Sequence, residues 1–296
     1  MADEPATARA LLARAAGVVV FTGAGVSAES GVPTFRGPGG LWKAFRPEQL
    51  ATPEAFARDP RLVWEWYGWR RDALAACRPN LAHVAIGRFL LTRAGVTLVT
   101  QNVDDLHERG ALEAATGLAR EGRLPAAGAA GDAASRPAPE RGGGAAPLRD
   151  DELPRAALAA AAARAAPIRL HGSIFHARCT RCGARTEHRA AVDASSLATL
   201  PRCGACGGLL RPDVVWFGEV LPEGALETAF AAAAAAEVCL VVGTAGAVHP
   251  AAALVDETRG GGGRVVVVDP GETAYDDVAD VRLWGAAGEV LPGLLG

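Results

Sequence analysis

The stretch "VVVFTGAGVSA", residues 18–28, determines the fold class of this chain. Val18–Thr22 is a short, uninterrupted and largely β-branched apolar run, which is typical of a strand buried on both faces. The residues that follow satisfy the dinucleotide-binding spacing G-x-G-x-x-G/A, with Gly23, Gly25 and Ala28 at the three positions. We therefore expect the first strand of a parallel sheet, leading directly into a nucleotide-binding loop.

The residues after this loop depart from an ordinary dinucleotide site. Such a site would continue into a full crossover helix and offer an acidic residue about 20 positions later. Here the chain turns through Gly31, Pro33 and Gly37, and Phe35-Arg36 lies within the turn. The segment therefore presents one aromatic ring and one guanidinium in a loop, which an ordinary dinucleotide site does not need.

Composition excludes several classes of protein. The 296 residues carry a formal net charge of −3 and are 50% hydrophobic, so no strongly basic field indicates nucleic acid. No apolar run reaches the roughly 18 residues that a membrane-spanning helix needs. The first residues lack the long apolar core of a signal peptide. We expect a cytoplasmic monomer without a nucleic-acid or membrane partner.

Four runs have the composition of buried strands: Val18–Thr22, Val96–Thr100, Val238–Gly243 and Arg264–Asp269; Pro167–Leu170 is a shorter candidate. Alanine-rich helical stretches separate several of them, which predicts an α/β fold, a Rossmann-like parallel sheet with helices on both faces. Ligands of such sheets bind beyond the carboxyl ends of the strands. The residues at those ends are Gly23-Ala24-Gly25, Gln101-Asn102-Val103-Asp104, His171-Gly172, Gly243-Thr244 and Asp269-Pro270. We expect all of them to meet at one crevice.

Other stretches interrupt the sheet pattern. We expect residues 37–83, which look helical, and residues 173–212, which hold four of the six cysteines, to form a small domain. The Rossmann-like domain then comprises residues 1–36, 84–117, 167–172 and 213–296. Residues 118–150 are rich in Gly and Pro and poor in large apolar side chains, so we predict a disordered insertion. A helix is expected within residues 151–166.

The cysteines predict a metal site. Cys179-x-x-Cys182 is followed, after twenty residues, by Cys203-x-x-Cys206. Two knuckles of this kind place four thiolates tetrahedrally around Zn²⁺. Because sulfur fills all four positions, no position remains for water and the zinc would be structural. A disulfide pair or redox thiols are the alternatives, and this spacing in a cytosolic chain disfavours both.

Several motifs together resemble those of the sirtuins, the NAD-dependent protein lysine deacylases. In chain order they are "GAGVSAESGVPTFRG" (residues 23–37), "TQNVDDLHERG" (100–110), "LHGS" (170–173), the paired cysteine knuckles, "LRPDVVWFGEVLP" (210–222) and "VGTAGAVHPAA" (242–252). The resemblance covers nearly the whole chain except the insertion. It implies a Rossmann-like domain, a zinc-bearing small domain and an acyl-lysine peptide bound in the cleft between them.

The resemblance also implies a chemistry. NAD would be consumed: its nicotinamide–ribose bond breaks, the acyl oxygen attacks the ribose carbon, and nicotinamide and O-acyl-ADP-ribose are released. Phe35, in a flexible loop, would then cover the ribose and exclude water, and Arg36 would bind a phosphate or hold the loop closed. The alternative is that Phe35 is a core ring. His171 is then the candidate general base that takes the proton of a ribose hydroxyl, since imidazole titrates near the working pH.

The residues expected to contact NAD are Gly23, Ala24, Gly25, Ala28, Thr34, Phe35, Arg36, Trp42, Gln101, Asn102, Asp104, Gly243, Thr244, Ala245, Asp269 and Ala287. Asn102 and Asp104 would line the nicotinamide pocket, cap the following helix, or do both. Ala245 and Asp269 depart from the family pattern, which has serine and asparagine there.

The stretch "LVWEWYGWRRD", residues 62–72, bears on the acyl group. On a helix, Tyr67 and Arg70 share a face, and a phenol beside a guanidinium can bind a carboxylate. The Tyr-x-x-Arg pattern resembles that of the class III sirtuins, which remove succinyl, malonyl and glutaryl groups. We therefore predict that negatively charged acyl groups are preferred over acetyl. The alternative is a surface arginine beside a packed tyrosine.

The segment Val214–Glu219 resembles the stretch to which a substrate peptide adds as a β-strand, with Val215, Phe217 and Gly218 as its contacts. Two other functions would use the same fold: an NAD-dependent protein mono-ADP-ribosyltransferase, and a non-catalytic NAD-binding module. The intact Tyr-x-x-Arg pair disfavours the first, and the full set of candidate catalytic residues disfavours the second.

Overall fold

The computed structural model describes residues 3–34, 46–125, 155–222 and 224–296. Its main sheet consists of β1 (Val18–Thr22), β2 (Val96–Thr100), β3 (Ile168–Arg169), β7 (Val238–Val242), β8 (Arg264–Asp269) and β9 (Val281–Trp284). The strands are parallel and lie in the order β3-β2-β1-β7-β8-β9. The five predicted strands are confirmed, although β3 is shorter than expected. The sequence analysis missed β9, a four-residue edge strand.

Alternate residues of β1 pack on opposite faces of this sheet. Val18 and Val20 contribute to one core cluster, and Val19 and Phe21 to another. The first cluster includes residues of α1 (Glu4–Arg14), α5 (Leu81–Thr92) and α10 (Ala287–Leu295), and the second includes residues of α8 (Ala225–Ala235) and α9 (Leu254–Gly260). Since both faces are covered, β1 carries no outward polar residue. The predicted fold class is confirmed.

A smaller antiparallel sheet contains β4 (Gly172–Cys179), β5 (Arg185–Glu187) and β6 (Leu210–Val214), in the order β5-β4-β6. It shares a hydrophobic core with α2 (Pro47–Leu50), α3 (Pro53–Arg58) and α4 (Pro60–Ala76). Within that core the indole N–H of Trp64 donates to the carbonyl of Leu210 at 2.9 Å. The helices and this sheet therefore pack as one unit, whereas the domain boundaries stay a prediction.

Helix α4 is started by local sequence. The Asp59 carboxylate accepts from the backbone N–H groups of Arg61 and Leu62, and Pro60 occupies the first turn, where no N–H is needed. This start sets the helical phase that places Tyr67 and Arg70 on the buried face three residues apart.

The predicted insertion begins too early. Helix α6 (Leu106–Arg120) continues past residue 117 because Leu118 and Ala119 extend its apolar face. Both pack with α7 (Arg155–Arg164), which confirms the helix expected within residues 151–166. The remainder of the predicted insertion, from residue 126, lies outside the described residues. Within the described ranges, no helix has the length and apolarity to cross a membrane.

Helices α5 and α6 approach closely at Gly110. A Cβ atom there would lie 2.6 Å from the Cβ and 2.8 Å from the carbonyl carbon of His83. Backbone cannot yield as a flexible side chain does, so any larger residue would separate the helices. This approach matters for function because α5 and α6 carry the buried side chains beneath the cavity described below.

We predict that Gly110→Ala lowers the free energy of unfolding by about 1–3 kcal/mol, because the added methyl group overpacks the helix contact. Gly117→Ala, in the same helix, is the matched control, since no atom lies within 4 Å of its added Cβ. That variant should be stabilised by about 0.5–1 kcal/mol through helix propensity. Urea unfolding measures both; equal effects of the two substitutions would contradict the close approach.

Candidate active site

A cavity of about 890 Å³ lies at the carboxyl edge of the main sheet. Its lining includes residues at the ends of five different strands: Gly23, Gln101, His171 and Gly243 follow β1, β2, β3 and β7, and Asp269 is the last residue of β8. Trp66, Tyr67 and Arg70 of α4 line it as well, as does the segment from Val214 to Pro222 after β6. The structure thus brings the predicted strand ends together and adds a wall from the core that α4 shares with the small antiparallel sheet.

Most residues singled out from the sequence line this cavity. They are Gly23, Ala24, Gly25, Ala28, Thr34, Tyr67, Arg70, Gln101, Asn102, His171, Val215, Phe217, Gly218, Gly243, Thr244, Ala245 and Asp269. Two described residues of the predicted NAD site do not line the cavity: Asp104 is buried behind its wall, and Ala286 lines it in place of Ala287. Phe35, Arg36 and Trp42 lie outside the described residues, so the predicted covering loop stays a prediction.

Two glycine loops meet at the floor of the cavity. The Gly25 N–H donates to the Gly243 carbonyl at 2.8 Å, and the Gly23 N–H donates to that of Val242 at 3.1 Å. A Cβ on Gly25 would lie 2.7 Å from the Gly243 Cα atom. The glycine that the dinucleotide fingerprint requires is therefore also needed for these loops to touch. The residues that follow, Ala24–Ser30, form a 3₁₀ helix instead of a full crossover helix.

His171 is held in one tautomer. Its Nδ1 lies 2.9 Å from the Gln101 carbonyl, which can only accept, so Nδ1 carries the hydrogen and Nε2 carries the lone pair. Burial in the cavity wall lowers the pKa of His171 below its ordinary 6.5, and the hydrogen bond to Gln101 opposes this shift. The imidazole is therefore neutral at neutral pH, which is the form a general base requires.

Asn102 is positioned by groups behind the cavity. Its side-chain amide donates to the Ser27 hydroxyl at 3.1 Å, and that hydroxyl donates to the Asp104 carboxylate at 3.1 Å. The other Asp104 oxygen accepts from the Leu106 N–H at the start of α6. Burial raises the pKa of Asp104, and these hydrogen bonds partly offset the shift. Asp104 thus helps to cap the helix and acts on the cavity through Ser27.

A second chain of hydrogen bonds underlies the same wall. His107 Nε2 lies 2.9 Å from the Thr22 hydroxyl, which donates to the Thr100 hydroxyl at 2.8 Å. The Thr100 oxygen also accepts from the Asn102 N–H. The sequence analysis did not find this network. The available signal was a pair of buried strands, "VVVFT" and "VTLVT", that both end in threonine.

The Tyr67 and Arg70 side chains lie inside the cavity wall and are only 2% and 7% exposed. The Arg70 guanidinium lies 4.9 Å from the ring centroid of Trp66, and the Tyr67 hydroxyl accepts from the Trp216 indole N–H at 2.9 Å. Burial lowers the pKa of Arg70, and the nearby Tyr67 and Asp104 oppose the shift. The alternative of a surface arginine is therefore wrong.

The four predicted zinc ligands form a cluster. The Sγ atoms of Cys179, Cys182, Cys203 and Cys206 all lie within 4.8 Å of one another. The Cys179–Cys206 and Cys182–Cys203 separations are 3.4 and 3.7 Å. A tetrahedron with Zn–S bonds of about 2.3 Å needs sulfurs about 3.8 Å apart, so the donor set fits one zinc ion. With four thiolates and no open position, its role is structural.

Comparison with known proteins identifies the family. The sequence model of the Sir2 family matches residues 23–118 and 157–250. The chain belongs to the Sir2 family. It is 44% identical over 287 residues to the NAD-dependent protein deacylase 2 of Pyrobaculum aerophilum, covering 96% of this chain and 92% of that protein. It is 42% identical over 289 residues to the NAD-dependent protein deacylase of Pyrococcus furiosus, covering 96% and 94%.

Solved Sir2 structures share the fold. A Sir2 homologue in complex with NAD superposes with a TM-score of 0.73 at 37% identity, covering 100% of this chain and 93% of that one. A Sir2 protein with a deacetylated peptide and an acetyl ADP-ribose superposes with a TM-score of 0.69 at 26% identity, covering 97% and 95%. The family resemblance predicted from the motifs is therefore confirmed.

We predict that the purified chain of this Sir2 protein contains about one zinc ion, as a four-thiolate site requires. Cys203→Ser should remove the metal and lower the melting temperature, because the site holds the small antiparallel sheet together. Cys77→Ser is the control, since Cys77 lies outside the four-cysteine cluster. Elemental analysis and thermal melts measure both effects; full zinc content in the Cys203 variant would contradict the assigned ligand set.

Proposed function

We propose that this protein is an NAD-dependent protein-lysine deacylase that prefers negatively charged acyl groups. The observation that carries the proposal is the state of His171. Its Nδ1 hydrogen is engaged by the Gln101 carbonyl at the edge of the cavity, which leaves Nε2 as a base. Membership of the Sir2 family and the names of the relatives support the same activity.

NAD would occupy the crevice at the strand ends. The loops at Gly23 and Gly243 offer close backbone approach to the phosphates. Gln101 donates to the Thr244 hydroxyl at 2.8 Å, which ties the loops after β2 and β7 together at this site. Asp269, near the other end of the lining, would accept ribose hydroxyl hydrogens, as acidic residues do in ordinary dinucleotide sites.

Different residues of the chain would bind the nicotinamide group and accept the proton. NAD, when bound, supplies a ribose carbon that becomes electrophilic as nicotinamide leaves and that the acyl oxygen attacks. Asn102, held by Ser27, would hydrogen-bond the nicotinamide carboxamide, which needs both donors and acceptors. His171 Nε2 would accept the proton of a ribose hydroxyl, so that this oxygen can attack the carbonyl carbon of the acyl group and the lysine amine can leave. The Gln101 carbonyl then stabilises the imidazolium through Nδ1.

We predict that kcat/KM falls at acid pH, with the midpoint of the acid limb below the ordinary imidazole pKa of 6.5. The lowered pKa of His171 means that the base form is lost only below the ordinary value of 6.5. Nicotinamide release, followed across pH, measures the profile. An acid limb centred above 6.5 would contradict the role of His171.

His171→Ala should keep fold and zinc while losing turnover by about 10²–10⁴-fold.

The acyl preference rests on the buried guanidinium of Arg70. A succinyl or malonyl group extends a carboxylate from the acylated lysine, which can meet Arg70 and the Tyr67 hydroxyl in the cavity wall. In a site with little water such a charge-assisted pair is stronger than at a surface. An acetyl group carries no carboxylate, so it gains nothing from this pair.

We predict that Arg70→Met lowers the ratio of desuccinylation to deacetylation, measured as kcat/KM, by about tenfold or more. Arg61→Met is the matched control, since Arg61 is exposed on the same helix and should leave the ratio unchanged. An unchanged ratio in the Arg70 variant would refute the carboxylate pair while leaving the deacylase proposal intact.

Masses of all products separate the remaining alternatives. A deacylase yields free nicotinamide, the unmodified lysine peptide and O-acyl-ADP-ribose. An ADP-ribosyltransferase would attach the nucleotide to a protein, and a non-catalytic NAD-binding module would release no nicotinamide. Proteins that carry acylated lysines are the partners we propose, whereas the cytoplasmic location and the monomeric state stay predictions from the sequence.

A further inference from the structure

Trp216 makes a hydrogen bond whose direction is unambiguous. Its indole N–H lies 2.9 Å from the Tyr67 hydroxyl oxygen, and both side chains are buried. An indole N–H can only donate, whereas a phenol both donates one hydrogen and accepts through its oxygen. The Tyr67 oxygen must therefore be the acceptor toward Trp216. The hydrogen of the Tyr67 hydroxyl is left to be donated elsewhere.

The position of the Trp216 ring is set without any ligand. The Arg211 guanidinium lies 3.3 Å from the ring centroid, and Arg211 pairs with both Glu219 oxygens at 2.6 and 2.9 Å. Glu219 also accepts from the Trp216 backbone N–H at 2.8 Å. Phe56 packs against the ring, with centroids 5.4 Å apart. These contacts prevent the indole from turning away from Tyr67.

We propose that Trp216 is a positioning residue for acyl selectivity: by donating to the Tyr67 oxygen, it leaves the Tyr67 hydroxyl hydrogen available to the carboxylate of a dicarboxylic acyl group. The inference rests on the proposed function and deepens it, since it assigns the preference to three residues instead of two. Tyr67 and Arg70 would contact the carboxylate, and Trp216 would act through Tyr67.

The environment of Tyr67 agrees with a donor role. Burial raises the pKa of Tyr67 above its ordinary value, and the neighbouring Arg70 opposes this shift. The phenol thus keeps its hydrogen throughout the working range of pH. Without the indole N–H, the buried phenol oxygen would lose the hydrogen bond that it accepts from Trp216. The hydroxyl would then be free to rotate away from the acyl group. A neutral acetyl group makes no use of this hydrogen.

The test replaces Trp216 by phenylalanine, which keeps an aromatic ring beside Arg211 and removes the N–H. We expect the ratio of desuccinylation to deacetylation, as kcat/KM, to fall about threefold to tenfold, the effect of one buried hydrogen bond. The change should come mainly through the KM of the succinyl peptide. In a Tyr67→Phe background, which lacks the hydroxyl, Trp216→Phe should produce no further change in the ratio.

Trp64→Phe is the matched control. It also removes a buried indole N–H bond from the same core, but there the acceptor is the Leu210 carbonyl, at 2.9 Å, and not the Tyr67 hydroxyl. Stability should fall while the acyl ratio stays constant. If Trp216→Phe does not fold, benzothienylalanine at position 216 keeps the two-ring shape without the N–H and should lower the ratio in the same way.

The outcomes separate the two proposals. An unchanged ratio in the Trp216 variants, with a reduced ratio in Arg70→Met and Tyr67→Phe, would overturn the role of Trp216 alone. Equal effects of Trp216→Phe in the presence and absence of the Tyr67 hydroxyl would overturn it as well. If Arg70→Met, Tyr67→Phe and Trp216→Phe all leave the ratio unchanged, the proposed acyl preference is what fails.

Discussion

The contact between the loops after β1 and β7 is the constraint on which the site depends. β1 is paired on both sides, and its ladder continues into hydrogen bonds from Gly23 and Gly25 to Val242 and Gly243. No side chain fits between these backbones. The two loops therefore form one surface at the end of the sheet, and the residues that follow β2, β3 and β8 line the cavity beside it.

The wall of this cavity is supported by buried polar groups. Thr22, Thr100 and His107 connect two strands to α6, while Ser27 connects Asn102 to Asp104. Such groups are costly to bury without partners, and the hydrogen bonds among them hold the Asn102 side chain in one orientation. Asn102, which lines the cavity, is thus oriented by Ser27, Asp104 and Thr100, which lie behind the lining.

The opposite wall of the cavity is formed by the core that α4 shares with the small antiparallel sheet, and its side chains differ in type. It is aromatic, and two arginines are buried against its rings: Arg70 lies over Trp66, and Arg211 lies over Trp216. Arg211 is neutralised by Glu219 within the protein. Stacking on aromatic faces and ion pairing are the means by which a guanidinium tolerates burial. One ring, Trp216, connects the charged pair Arg211–Glu219 to the phenol of Tyr67.

The sequence by itself determined the parallel sheet, the cysteine cluster and the strand-end residues that line the cavity, because each of these depends on local spacing. Strands buried on both faces need continuous apolar runs, and Cys-x-x-Cys geometry is set within one turn of chain. Edge strand β9 and the end of α6 escaped prediction, since a four-residue strand carries little pattern and Leu118 is recognised only through its packing on α7.

Only the tertiary structure decided which partners the functional side chains have. The neutral tautomer of His171 depends on a carbonyl from the loop after β2, Asp104 acts through a serine 77 residues away, and Trp216 donates to a tyrosine 149 residues away. These pairings join segments that no local pattern relates. They arise because hydrophobic burial brings these segments together and most buried polar groups then find a partner there.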